Sequence, residues 1–257
     1  MNKICNFTNT YRKEDYPGFE LENCTDISGT DMYCDEEAFK QIRERIAGPL
    51  NNADKICEAA RGIHLIDSGN YHYMTRLFTS LLEEDYILVF FDNHTDMKPA
   101  MFDMLSCGSW AKEVLEKDEN LQKLIMIGPP KKSMDELPPE ITGNKKLLMI
   151  NGEEATPQKL LCETETPGYE GLPVYISVDK DVLAVSEVKT NWDQGSMSLE
   201  TLIRIINKIC SGRHVIGADI CGLFPASAGE AESISSYEKG VQTDMELIKT
   251  LQKWIKQ

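Results

Sequence analysis

Along this chain, short unbroken apolar runs alternate with stretches whose apolar residues recur every three or four positions. The runs predict strands at 63–67, 86–91, 124–127, 146–150, 174–178 and 214–218. Several are apolar at successive positions, as expected when both faces of a parallel sheet are covered. The periodic stretches predict helices. "CDEEAFKQIRERIAG" has an acidic start and a glycine stop, and "YMTRLFTSLLEE" carries Met74, Leu77, Phe78, Leu81 and Leu82 at helical spacing. "SWAKEVLEKDENL" follows the second run, "SLETLIRIINKICSG" opens on Ser198 as an N-cap and nears its end at Gly212, and "MELIKTLQKWIKQ" is the last. Strands alternating with helices predict an α/β fold with a mostly parallel sheet, in which ligands sit beyond the carboxyl ends of the strands. "GPPKKSMDELPPEITGNKK" reads as the most loop-like stretch, an excursion within one domain spanning 1–257.

Composition narrows the partners. The 257 residues carry a formal charge of −15. No basic patch is evident, which argues against nucleic acid and against anionic membranes. The opening "MNKICNFTNTYRKEDY" lacks a continuous apolar stretch, and no run approaches the roughly 18 to 20 residues of a membrane span. A cytoplasmic protein is expected, with its eight cysteines reduced. None forms a C-x-x-C pair, which disfavours a structural zinc knuckle. A small-molecule substrate is expected, and a homo-oligomer stays open.

The chemistry lies where the strands stop. "LVFFDNHTDM" drives an apolar run into Asp92, His94 and Asp96, two residues apart. A strand continuing through them would turn all three to one side. "VYISVDKDVL" repeats the device with Asp179 and Asp181, and after the first run "SGN" makes a turn before His72. His64, inside a strand, and His214, at the start of one, read as structural. Two imidazoles and four carboxylates are too rich in anions for one structural zinc. They favour manganese, or iron, cobalt or nickel, and six ligands could hold two ions around a bridging hydroxide.

These segments, in this order, resemble the arginase/agmatinase (ureohydrolase) superfamily. "DNHTD" and "SVDKD" resemble its two aspartate motifs, "SGNYH" its histidine turn, "SCGSW" its substrate loop and "GADICGLFP" its late strand. The resemblance implies a three-layer α/β/α fold and two Mn²⁺ ions. His72, Asp92, Asp96 and Asp179 would hold one ion, and Asp92, His94, Asp179 and Asp181 the other. Asp92 and Asp179 would bridge, and Asp96 would move the proton as the catalytic residue. Ser109 would contact the substrate. The family's substrate-loop histidine is matched by Ala111 and its guanidinium-binding glutamate by Gly222, with Glu230 and Glu232 as replacement candidates. The expectation is a dinuclear hydrolase of a non-peptide C–N bond in an amidine, guanidino or formimino group, with arginine disfavoured. A deacetylase-like amide hydrolase with one zinc and a non-catalytic metal-bound protein are the alternatives. The segment "CTDISGTDMYCDEEAF" has no counterpart in the resemblance; pocket, subunit contact and sheet-edge cover are its candidate roles.

Overall fold

The computed structural model describes residues 1–48, 53–102, 104–156, 158, 171–225 and 231–255. Eight strands form one sheet: β1 (Lys3–Asn6), β2 (Glu20–Asn23), β4 (Gly62–Leu65), β5 (Tyr86–Phe91), β7 (Leu121–Gly128), β8 (Leu147–Asn151), β9 (Val174–Asp179) and β10 (Val215–Cys221). Their order is β2-β1-β4-β10-β9-β5-β7-β8, and every pairing is parallel. Two short strands, β3 (Tyr33–Cys34) and β6 (Leu105–Ser106), form a separate antiparallel pair.

The period-two pleat divides the apolar runs between two layers. On β5, Leu88 and Phe90 pack with α1 (Glu36–Ala47), α3 (Met74–Thr79) and α4 (Trp110–Lys117). Ile87, Val89 and Phe91 pack on the opposite side with α7 (Leu199–Cys210) and α8 (Ala231–Leu251). This is the three-layer α/β/α arrangement. Phe90 is fully buried, and its truncation to alanine would cost about 3–5 kcal/mol. Among the described residues no helix is long and apolar enough to cross a membrane. The seven described cysteines are free.

The helix signals act as read. Asp35 caps α1 by accepting from the Ala38 amide at 2.8 Å, and Gly48 ends it at φ +74°. Ser198 caps α7 through the Thr201 amide at 3.2 Å. Other expectations need correction. The excursion after β7 carries two short helices, α5 (Lys131–Asp135) and α6 (Pro139–Thr142). The last helix starts well before the stretch that predicted it. The strand expected over 63–67 stops at Leu65, and Asp67 takes φ +67°. Its carboxylate accepts from the Phe7, Thr8 and Ser68 amides, and its carbonyl from the Gly222 and Leu223 amides. Asp67 thus ties the N-terminal strand and β10 to β4. The sequence reading missed β1 and β2 because polar residues interrupt them. Lys3 is buried on β1 only because its ammonium meets Glu20 at 3.3 Å and Glu22 at 2.5 Å on the edge strand.

Candidate metal centre

The segments that leave the ends of β4, β9 and β5 line one cleft of about 460 Å³. β5 ends at Phe91, so the side chains of Asp92, His94 and Asp96 do not converge by strand alternation. Residues 92–96 form a loop with Asp96 at φ +49°. The loop is held by carboxylates of the site: the His94 amide donates to Asp92 at 2.6 Å and the Asn93 amide to Asp181, from the turn after β9, at 2.9 Å. Asp179 is the last residue of β9, and Asp181 sits in the helical turn beyond it, its amide donating to the Asp179 carboxylate at 2.9 Å.

The structure brings all six predicted ligands together. His72 Nδ1 lies 3.0 Å from Asp92 Oδ2, 3.2 Å from Asp96 Oδ2 and 3.7 Å from Asp179 Oδ2. His94 Nδ1 lies 2.8 Å from Asp181 Oδ2 and 3.3 Å from Asp92 Oδ1. Asp92 therefore faces one imidazole with each oxygen. Among the described residues Asp179 falls in the His72 group but not the His94 group, so the second expected bridge is not formed by these contacts. All are buried except His94, whose side chain is 32% exposed.

A further layer, not anticipated from sequence, orients these groups. Ser177 Oγ lies 2.9 Å from His72 Nε2 and donates to Asp219 at 2.7 Å, where Thr75 also donates at 3.1 Å. The Trp110 indole donates to Asp96 Oδ2 at 2.6 Å, and Cys221 Sγ lies 3.0 Å from Asp179 Oδ2. The signal was present: Ser177 alternates with Asp179 on β9, and Asp219 with Cys221 on β10, so period two carries each polar face inward. Lys180 points away from the cleft, where its ammonium meets Asp244 of α8 at 2.5 Å, and Tyr16 donates to the same carboxylate at 2.7 Å.

The field of the carboxylates sets the charge of the imidazoles. Burial opposes protonation of His72, but contact with Asp92 and Asp96 outweighs it and holds the pKa well above the usual value. His94 behaves alike: burial lowers its pKa, while Asp181 and Asp92 drive it up to about 11. Burial and mutual repulsion raise Asp179 and Asp181, and burial raises Asp219 to about 6. The sign is that of a site built for positive charge.

The donor set fits divalent ions. His72 Nδ1 is buried without a well-directed hydrogen bond although carboxylates surround it, and such a group is costly unless a cation takes it up. The His72–Asp92–Asp96 and Asp92–His94–Asp181 groups share Asp92, and both are nitrogen–oxygen sets of the kind that hold manganese or neighbouring ions.

The predicted substrate contacts fare differently. Ser109 is buried, does not line the cleft, and accepts from the Ser106 amide at 3.0 Å and its hydroxyl at 2.8 Å; Ser106, Cys107 and Gly108 line the cleft instead. Ala111 is buried in α4. Gly222 stands at φ +87°, and a Cβ there would lie 2.7 Å from Asp179 Oδ1, so β10 passes too close to the site for any side chain. Glu230 and the side chain of Glu232 lie outside the described residues. Met32 and Tyr33, from the segment without a counterpart, line the cleft mouth with Lys98, Glu136 and Trp192.

Residues 3–238 match the family model described as the Arginase family. An uncharacterised protein from Thermotoga maritima is 31% identical over 169 residues, which are 66% of this chain and 61% of that protein; the match thus spans less than two thirds of the relative. The fold is shared with proclavaminate amidino hydrolase from Streptomyces clavuligerus at TM-score 0.65 and 14% identity, over 91% of this chain and 75% of that one. It is shared with Entamoeba histolytica arginase in complex with L-ornithine at 0.62 and 11%, over 94% and 97%. The Trypanosoma cruzi formiminoglutamase with Mn²⁺ aligns at 0.59 and 12%, over 90% and 76%.

Proposed function

The chain belongs to the arginase family, and we propose that it is a dinuclear-metal hydrolase of a non-peptide C–N bond in a small amidine, guanidino or formimino compound other than arginine. The observation that carries this reading is one buried carboxylate, Asp92, addressing two imidazoles 3.0 and 3.3 Å away, each with further carboxylates around it. His72, Asp92, Asp96 and Asp179 would hold one ion and Asp92, His94 and Asp181 the other, with manganese the first candidate. Such a pair supplies a hydroxide nucleophile at neutral pH and polarises the bond attacked.

The chain's own groups do the rest. Asp96 is the residue for proton transfer to the leaving nitrogen: the Trp110 indole fixes its Oδ2, and Oδ1 is left for that role. Ser177 on Nε2 fixes the ring of His72, so that Nδ1 faces the carboxylates. The cleft, about 460 Å³ and walled by Met32, Tyr33, Leu137, Pro138 and Trp192, suits a small molecule and limits water around it.

Arginine is disfavoured by the chemistry just beyond β10. A desolvated guanidinium needs an opposed carboxylate, and Gly222 leaves no room for one. Losing such a charge-assisted partner costs about 2–5 kcal/mol. The test is a screen of the manganese-reconstituted protein against guanidino, amidino, formimino and acetylamino compounds, scored for ammonia, urea or acid release. Turnover of a non-arginine C–N substrate is expected. A kcat/KM for L-arginine above roughly 10⁴ M⁻¹s⁻¹, an ordinary enzyme value, would reject the substrate assignment, and the same value for agmatine would show that a guanidinium partner stands elsewhere than at Gly222. Saturation at one zinc with acetylamino cleavage would favour a deacetylase.

A further inference from the structure

A thiol stands among the carboxylates. Cys221 closes β10, fully buried, and its Sγ lies 3.0 Å from Asp179 Oδ2. Potential ligand atoms of His72, Asp179 and Cys221 all lie within 4.8 Å of one another. A buried cysteine ordinarily serves as a small apolar side chain. Its neighbour on β10, Ile220, does so in the layer facing α7 and α8. Cys221 belongs to the apolar cluster on the opposite side, yet it shares that face of β10 with Asp219 and turns its sulfur toward Asp179 Oδ2, the oxygen that faces His72. A second observation points to a ligand independently of the thiol: His72 Nδ1, 1% exposed, is aimed into the same space without a well-directed hydrogen bond.

We propose that Cys221 is a metal ligand of the His72 side of the centre, so that the two sides differ in chemistry. The inference rests on the dinuclear reading above. The His72 side would then be a nitrogen–oxygen–sulfur set and the His94 side a nitrogen–oxygen set of Asp92, His94 and Asp181. Ligation replaces the S–H bond by a metal–sulfur bond and releases the thiol proton to solvent; no oxidant or reductant takes part. Thiolate selects softer ions such as zinc, cobalt(II) or iron(II), whereas carboxylate and imidazole accept manganese. The site would therefore sort ions between its halves.

The experiment is anaerobic titration of the metal-free full-length protein with cobalt(II), followed in the visible and near ultraviolet beside elemental analysis. The wild type is expected to develop a sulfur-to-cobalt charge-transfer band. Cys221→Ala and Cys221→Ser should lose it while still binding cobalt. Cys107→Ala, which removes a thiol that lines the cleft, should keep it. In competition, the preference for zinc over manganese should fall about tenfold or more in Cys221→Ser. Bound cobalt without the band in the wild type, or a band that survives Cys221→Ala, overturns the thiolate ligand and leaves the dinuclear reading standing. No bound cobalt in the wild type overturns both. The wild-type spectrum decides even if a Cys221 variant does not fold.

Discussion

His64 and His72 lie on and just beyond the same strand, both almost wholly buried, yet burial has opposite outcomes for them. His64 lies flat on Phe78, ring centroids 4.0 Å apart, and its polar contact is the Ala60 carbonyl at 3.3 Å. Desolvation outweighs that one bond, and its pKa falls to about 3. His72 is equally dry but faces three carboxylates, and its pKa rises. Exclusion from water does not make a histidine a ligand; what decides is which charges share its enclosure. On this view the candidate metal centre is an anionic pocket that a cation can satisfy, proton or metal.

The contrast is broken most severely at the carboxylate both imidazoles share. Asp92→Asn should strip both ions and lower activity more than a hundredfold, since removing a ligand should exceed the 10- to 100-fold typical of losing a ligand's supporting partner. Metal content after reconstitution checks it, and full occupancy would dissolve the shared-ligand assignment. Next in size is Ser177→Ala, which leaves His72 its carboxylates but frees Nε2. Metal affinity should fall about 10- to 100-fold with little change in stability.

Proton competition sharpens the comparison further. Both ligand imidazoles have raised pKa values, His94 about 11, so each holds a proton that an entering ion must displace. Affinity for manganese should therefore rise with pH, about tenfold per unit for each proton released, between pH ~6 and ~9. Calorimetric titration in buffers of different ionisation enthalpy reads the released protons directly; a flat profile would contradict the electrostatic picture. The smallest effect on the metals, none, is expected of His64→Gln. Its signature is in stability. The folded pKa of His64 lies below its ordinary 6.5, so its contribution is full above about pH 6.5 and lost as pH falls toward 3. Metal-free wild type should lose more stability than His64→Gln between pH ~7 and ~5, by up to about 1.4 kcal/mol per unit. Equal slopes in denaturant titrations would refute it.

The candidate ligands were legible in the chain because most of them cluster locally: Asp92, His94 and Asp96 within one loop, Asp179 and Asp181 at the end of β9 and in the turn beyond it. The parallel sheet was equally plain in its apolar runs. Ser177 and Asp219 could not be assigned the same way, because their partners His72 and Thr75 are remote in sequence. Trp110 and Ser109 show the limit well. The turn "SCGSW" marked the right loop, but the hydroxyl expected to face substrate turns inward, and the indole beside it holds Asp96. β1 and β2 were lost to their charges, since Lys3 on an inner strand is intelligible only beside the two glutamates of its neighbour.

Lys180 gives the order in which such a centre can come into being. It sits between two metal-facing aspartates, and its own counter-ion, Asp244, lies 64 residues later on the last helix, with Tyr16 another 228 residues before that. A chain still emerging from the ribosome has already made every carboxylate and imidazole of the site while the anion for Lys180 is not yet synthesised. A buried ammonium without a partner is strongly disfavoured, so the turn carrying Asp181 cannot settle until the final helix docks. Closing contacts across such long stretches of chain is slow. Metal uptake should therefore be among the last events of folding, governed by the arrival of a helix that contributes no ligand.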